Sequence, residues 1–433
     1  MDSLTGFGRH FGGMGRALSA RNYRVYWYGH LFSSNGGWIY LISSQWLIFH
    51  LTASPIWLGA IGFAYLAPLF FLGPLAGAIS DRYGHRRTGI IATSFGIVIS
   101  LLTALAITTG VLTPKLMLIL TIFQGTFFAF DFPARHALIP QLIERNNLSA
   151  AIGMNWATYC VAGFTGPVVG GAILSLGNSV YGKPMGAAMS YTASAFALSC
   201  IVLALTQVRV INPLRAKKQI EHLIPAVWSD LKAGIYYIME STHLKIIMGL
   251  SVFVALFLRS YQNLMAGFAK EVFQLDEQGL GNMLALSGAG ALFAAVIFAI
   301  RGKTEGLTRV FIFGIALTAI ALLVFVSNTH ITSALVTVAF IGGLIVATEM
   351  SAQTLVQNIV ADEYRARVIS INLAVTVGSP AFGTFAIGWF AEIVGLQMAL
   401  GISAIIALIA VIFFGRKLLA ARAEVEAKIQ EAE

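Results

Sequence analysis

Four ionisable residues lie inside or at the edge of long apolar runs: Asp131, Arg135, Arg259 and Glu349. Such a group at the centre of a bilayer costs about 2.5–3.5 kcal/mol on insertion scales, so each needs a partner or a wet cavity. A carboxylate taken out of water holds its proton more readily and can then exchange it near neutral pH. Glu349 and Asp131 are therefore candidate proton-coupling residues. A structural contact with a loop arginine is the alternative for Glu349. Arg259, Gln262 and Asn263 stand at i, i+3 and i+4 and share one helix face. That face could attract an anionic or carbonyl-rich substrate group. It could equally anchor a structural salt bridge, to Glu349 for instance. At 1.5 Å per residue, Glu349 falls about 10–15 Å away along the membrane normal, which weighs against direct pairing. Asp131 and Arg135 are four apart and can pair, and Pro133 between them is expected to bend or end its helix. Gln124, Phe127 and Phe128 lie above Asp131, and Asn35, Trp38 and Gln45 lie along one side of the first apolar run. Together they would line an aromatic cavity with scattered amides, suited to an amphipathic organic molecule. Packing or lipid contact would serve each aromatic as well. Gln124, Trp38 and Gln45 join Arg259, Gln262 and Asn263 as the substrate-binding candidates.

The composition says what must hold these groups. The 433 residues are 57% hydrophobic and only 11% charged, with a mean hydropathy of +0.79. Soluble domains are about 25% charged, and a globule of this size could not hide so much apolar surface. Lipid is the expected solvent. The net charge of +9 then reads as loop bias in a membrane protein, not as a nucleic-acid footprint. Cys160 and Cys200 sit in apolar runs and look like small buried side chains. Arg9, Arg16, Arg21 and Arg24 precede an apolar run too long for a signal-peptide core, so an uncleaved first span is expected.

Runs of about 20 apolar residues fall near 28–50, 56–79, 88–110, 115–136, 150–176, 187–206, 245–268, 279–300, 308–327, 331–353, 368–391 and 396–415. The expected fold is all-α and integral to the membrane, with twelve transmembrane helices. Residues 1–206 form one six-helix bundle and 245–415 a second. Residues 207–244 form a cytoplasmic central loop, whose stretch from Ile224 to Met239 should lie helical along the membrane surface. Residues 416–433 form a cytoplasmic tail. Twelve spans put Lys115, Lys183 and Lys270 on one side, Arg259 within a span, and the rest of the 28 Lys and Arg on the other. That second side is cytoplasmic by the positive-inside rule, and it holds both termini. The halves also echo each other. At an offset of 217 residues Phe123 falls on Phe340, Gly125 on Gly342, Asn155 on Asn372, Gly166 on Gly383 and Gly171 on Gly388. Asp131 lands one residue from Glu349. A duplicated six-helix unit with a substrate site between the halves is a known transporter plan.

Residues 77–87, GAISDRYGHRR, carry Asp81, Arg82, His85, Arg86 and Arg87 in a turn between two apolar runs. Gly77, Asp81, Arg82, Gly84, Arg86 and Arg87 match a spacing that resembles the loop 2–3 signature of the major facilitator superfamily. His85 stands where that family more often has Arg or Lys. Gly153, Ala162, Gly166, Pro167, Gly170 and Gly171 resemble the fifth-helix motif of exporters in the same superfamily, with Ala162 replacing a glycine. In physical terms Gly166, Gly170 and Gly171 let helices approach closely, and Pro167 kinks the span. Ordinary helix packing explains them too. Arg21 to Trp27, Gly36-Gly37-Trp38, Leu51-Thr52-Ala53-Ser54 and Asp131-Phe132-Pro133-Ala134-Arg135 with Pro140 resemble the bacterial branch of enterobactin exporters and macrolide efflux proteins. That branch often carries a polar or acidic residue where Gly37 stands.

The resemblance implies the major facilitator fold, two pseudo-symmetric six-helix bundles with spans one, four, seven and ten lining the cavity. It also implies gating contacts among Asp81, Arg82, Arg86, Asp131 and Arg135. An acid at the position of Asp131 would meet a loop arginine, here Arg86, when the protein opens outward. Asp81 would then sit at the start of span eleven, near Arg367 to Ser370. No Walker lysine, metal cluster, nucleophile triad or dinucleotide fingerprint occurs. The expectation is thus a transporter and not an enzyme, with no cofactor, no metal and no nucleic-acid partner. Its partners would be a small-molecule substrate, protons and the lipid bilayer. It would sit as a monomer in the bacterial inner membrane and export a drug-like or siderophore-like amphiphile by proton antiport. A lipid or lysolipid flippase of the same fold, and a non-transporting sensor or scaffold, are the competing classes.

Overall fold

The structure, a computed structural model, describes residues 12–211, 223–301 and 306–420. No strand occurs among them. The helices are α1 (Gly12–Ser19), α2 (Arg21–Thr52), α3 (Pro55–Tyr83), α4 (His85–Thr108), α5 (Pro114–Leu142), α6 (Leu148–Tyr181), α7 (Met185–Gln207) and α8 (Leu223–Glu240). They continue as α9 (Thr242–Val272), α10 (Glu277–Arg301), α11 (Leu307–Ser327), α12 (Ile331–Ile359), α13 (Glu363–Val394) and α14 (Leu396–Ala420). Eleven of these, α3 to α7 and α9 to α14, are long and apolar enough to cross a membrane. The expected first span lies in α2. That helix has ample length at 32 residues, but Ser33, Ser34, Asn35, Ser43, Ser44 and Gln45 lower its hydropathy.

Local chemistry sets the ends. Gly84 has φ of 90°, a left-handed backbone that costs a glycine little. It breaks the run between α3 and α4 in the middle of the charged turn. Thr113 caps α5 by accepting from the Leu116 amide, and Pro114 follows at the first helical position. One expectation needs correction. Pro133 does not end its helix, and α5 continues through Pro133 and Pro140 to Leu142. The packed neighbours hold the backbone in place, as membrane helices allow. The central segment also holds the regular helix α8, which packs on α13. Tyr237 stacks on Tyr364 at 4.5 Å, and the Tyr237 hydroxyl accepts from the Ala361 amide.

Contacts divide the described residues into two units. One comprises those of Met1–Ser44 and Leu72–Glu221, the other those of Gln45–Phe71 and His222–Glu433. Helices α2 and α3 each begin in one unit and end in the other. In the first unit α4 packs on α5 and α7, and α6 packs on α7. Helix α6 also crosses α2 closely. A β-carbon on Gly166 would stand 2.5 Å from Trp38 Cβ, and one on Gly170 would stand 2.6 Å from Ile42 Cγ2. In the second unit α12 packs on α10 and α11, and α11 packs on α14. Helix α13 crosses α9 where a β-carbon on Gly383 would overlap the Leu256 carbonyl. The 217-residue offset carries Gly166 to Gly383, and Trp38 to Ala255, one residue from that contact. The repeat in the sequence is thus a repeat of glycine-mediated helix crossings.

Wider π turns interrupt two helices of the second unit. Val254–Leu258 and Phe268–Val272 lie in α9, and Ala374–Gly378 lies in α13. The Arg259 amide donates to Val254, five residues back, at 2.9 Å. Each π turn adds a residue to the helical circuit and re-aims the side chains that follow.

Gly383→Leu forces a side chain into the Leu256 backbone, and overpacking of this kind costs about 1–3 kcal/mol or more. The expected outcome is a clear fall in thermal stability of the purified protein, read by size-exclusion after heating. Gly153→Ala, where no atom lies within 4 Å of the added carbon, should leave it unchanged.

Candidate functional site

Each unit holds an Arg–carboxylate pair within its helices. In the first, Asp131 and Arg135 are both only 8% exposed, one turn apart on α5, and form an ion pair. Arg135 Nε donates to Asp131 Oδ1 at 2.7 Å, and Thr93 from α4 donates to the same oxygen at 2.8 Å. Arg135 Nη1 reaches Ser33 of α2 at 2.7 Å. Three helices thereby share one neutral network. Burial without these partners would be prohibitive, since a lone buried charge is destabilising by several kcal/mol.

The loop residues lie elsewhere. Arg86 does not meet Asp131 here. Its Nε and Nη2 donate to the carbonyls of Leu205 and Thr206 at 2.6 and 2.9 Å. Those carbonyls close α7, where unpaired oxygens and the helix dipole favour a cation. Asp81 is exposed and lies 3.5 Å from His85 Nε2, while Ser80 shares a 2.7 Å hydrogen bond with His85 Nδ1. The guanidinium of Arg82 lies 5.8 Å from the ring centroid of Tyr83.

In the second unit Arg259 Nη1 pairs with Glu349 Oε1, joining α9 to α12. The pairing with Glu349 that the count along the helices left open is thus made. The π turn before Arg259 and the length of its side chain close the gap. Both side chains keep about a quarter of their surface exposed, 28% and 23%, so this pair is less enclosed than Asp131–Arg135. One turn on, Gln262 Nε2 donates to Ser287, which also shares a 2.6 Å hydrogen bond with the Tyr261 hydroxyl. Asn263 donates to Thr384 at 3.1 Å and accepts from Gln45 Nε2 at 3.2 Å. The structure therefore gathers Arg259, Gln262, Asn263, Glu349 and Gln45 into one unit.

Trp38 lies over Gly163 and Gly166 of α6, 6.4 Å from the Tyr159 ring. Gln124 is buried against Gly96 of α4, and its Oε1 has no hydrogen-bond partner. Phe127 stacks on Phe95 at 4.7 Å, and Phe128 packs on Phe132. Cys160 and Cys200 are free and only partly buried.

Two carboxylates escaped the sequence reading. Buried Glu277 accepts from Trp46 Nε1 at 3.2 Å. Glu392 accepts from the Ser54 hydroxyl at 2.7 Å and from the Ile56 amide at 3.3 Å, which caps α3. Both carboxylates lie in the second unit. They tie the Gln45–Phe71 stretch of α2 and α3 to α10 and α13. They fall just outside the expected apolar runs at 279–300 and 368–391, so hydropathy alone does not single them out.

The profile of the transmembrane secretion effector family matches residues 16–432. The staphyloferrin A transporter of Staphylococcus aureus (strain NCTC 8325 / PS 47) is 24% identical over 387 residues, covering 88% of this chain and 94% of that protein. An uncharacterized MFS-type transporter of Bacillus subtilis (strain 168) is 22% identical over 373 residues, covering 85% and 86%. Among solved structures, a D-xylose–proton symporter superposes with a TM-score of 0.71 at 16% identity, covering 92% of this chain and 97% of that one. A bacterial homologue of the human lysosomal transporter Spinster, inward-facing and unoccupied, superposes at 0.70 and 14% identity, covering 98% and 99%. At these identities the superpositions show a shared fold.

The Asp131–Arg135 network makes a stability prediction. Asp131→Asn leaves the Arg135 charge buried without its counter-ion, a loss of about 3–5 kcal/mol by the general behaviour of buried pairs. Arg135→Gln in the same chain should restore most of it. A double-mutant cycle on thermal unfolding in detergent measures the coupling. Additive losses would show that the pair does not hold α5 to its neighbours.

Proposed function

Because the chain belongs to the transmembrane secretion effector family of the major facilitator superfamily, we propose that this multi-pass membrane transporter exports an amphipathic small molecule in exchange for protons. The observation that carries this is the half-enclosed Arg259–Glu349 pair, set beside the amides of Gln262 and Asn263. As a neutral pair it costs little in a low-dielectric setting. Protonating Glu349 discharges the carboxylate and releases Arg259, so one proton changes what both residues can bind.

Linkage fixes the sign of coupling. A substrate whose N–H or O–H donor bonds the Glu349 carboxylate competes with the proton, and competition at one site is what antiport requires. An anionic group on Arg259 would instead be favoured by protonation and would travel with the proton. Export by antiport therefore assigns the substrate's donor group to Glu349. Arg259, Gln262, Asn263 and Gln45 orient its carbonyls. The likeness to a staphyloferrin A transporter supports a siderophore-like substrate. The basic excess supports cytoplasmic termini in a bacterial inner membrane, and the protein acts as a monomer. Asp131, Arg135, Asp81, Arg82 and Arg86 serve the inner gate in this reading. The membrane potential adds about 2.3 kcal/mol per charge per 100 mV to a cycle that moves net charge.

Everted membrane vesicles test the proposal with a panel of siderophores and amphipathic amines. Uptake should collapse with a protonophore. Glu349→Gln should abolish gradient-driven accumulation but preserve substrate exchange. Arg259→Ala should weaken carbonyl-rich or anionic substrates more than purely cationic ones. Accumulation indifferent to the protonophore would remove proton coupling.

A further inference from the structure

Beside Glu349, on the second unit, lies a recess lined by Ser251, Val254 and Ala255 of α9, Phe311 of α11, Thr348 and Ala352 of α12, and Thr376 of α13. It has about 10 Å³ of room for a water-sized group, far below the roughly 300–1,000 Å³ of drug-sized sites, so it suits a single small ion and not the transported molecule. Its polar lining has one character. The Ser251 hydroxyl donates to the Ile247 carbonyl at 2.9 Å, Thr348 to Leu344 at 2.7 Å, and Thr376 to Asn372 at 2.9 Å. With their protons engaged, all three hydroxyls have only lone pairs left to offer. The remaining polar group is a carboxylate. Ser251 and Thr348 are 4% and 1% exposed, so these acceptors are not solvated surface groups.

The surrounding backbone preserves this arrangement. Gly314 on α11 lies against Thr348 Oγ1, where any β-carbon would overlap that oxygen. Val254 and Ala255 belong to the π turn that precedes Arg259, and Thr376 belongs to the π turn of α13. Two of the three π turns thus border the same recess. Among the described residues that line it, Glu349 alone is ionisable. Arg259 faces that carboxylate from α9, with Tyr261 nearby on the same helix.

We propose that Ser251, Thr348, Thr376 and Glu349 form a seat for a small monovalent cation, hydronium or sodium, which competes with Arg259 for the Glu349 carboxylate. Hard oxygen ligands without free protons are the donor set such an ion requires. The seat rests on the coupling role proposed for Glu349 and adds the path by which the coupling ion reaches it. Occupation of the recess neutralises the carboxylate from behind and loosens Arg259. Bulk access from the substrate side is not needed.

The test uses the purified full chain and the ions themselves. Binding of radioactive sodium is measured at pH 8.5 and pH 6.5, and thermal stability is followed across the same range in sodium and in choline. If sodium is the ion, wild type binds it at pH 8.5 and loses it at pH 6.5. Ser251→Ala and Thr376→Val then each weaken it about tenfold, the size of one lost ligand bond. If hydronium is the ion, no sodium binds, but the two variants displace the pH midpoint of thermal stability. Unchanged sodium binding and an unchanged midpoint in both variants would overturn the seat. Glu349→Gln separates this from the parent proposal. If it removes the pH response while the hydroxyl variants do not, coupling at Glu349 stands and the recess is excluded. If Glu349→Gln changes nothing, coupling itself fails.

Discussion

Hydrocarbon does not tolerate a single charge, and the fold is arranged around that constraint. Asp131, Arg135, Arg259 and Glu349 each have an opposite charge within reach, contributed either by the same helix or by a neighbour. Asp131 and Arg135 solve the problem locally, one turn apart, and recruit Thr93 and Ser33 to satisfy the remaining lone pairs and protons. Arg259 and Glu349 solve it across two helices. The difference has consequences. A pair on one helix stays together when helices move, whereas a pair between helices can be traded for a substrate or an ion.

The close helix approach that makes such pairing possible comes from glycine. Gly166 and Gly170 seat α6 against α2, and Gly383 seats α13 against α9. The second crossing brings the α13 π turn near the α9 π turn, and the polar recess lies between them. A bulkier residue at Gly383 would push apart the helices that carry Arg259 and Thr376. Packing and chemistry are therefore one problem here, and the motif that reads as structural also sets the spacing of the candidate site.

Helices α2 and α3 add a further constraint, since each changes unit partway along its length. Their distal ends are held in the second unit by Trp46 on Glu277, Gln45 on Asn263, and Ser54 with Ile56 on Glu392. These contacts fix the distal ends of both helices within the second unit. Polar contacts of this kind are individually modest, about 0.5–1.5 kcal/mol each for neutral donors. A continuous helix is far more costly to break.

The sequence by itself determined the solvent, the class and most of the helices, because transfer cost and helical rise are properties of composition and count. It also determined the four intramembrane charges and the glycine crossings, through a period that survives duplication. What it could not determine was who meets whom. The separation of Arg259 from Glu349 was counted along straight α-helices, and the π turns that alter the register leave no mark in residue type. Arg86 was matched to Asp131 through the family resemblance, and the carbonyls that end α7 carry no formal charge to mark them as its partners. Glu277 and Glu392 fall just outside the apolar runs, and only the packing of the ends of α2 and α3 marks them. Only tertiary structure brings those groups together, because partner choice depends on helix rotation and crossing, which hydropathy does not encode.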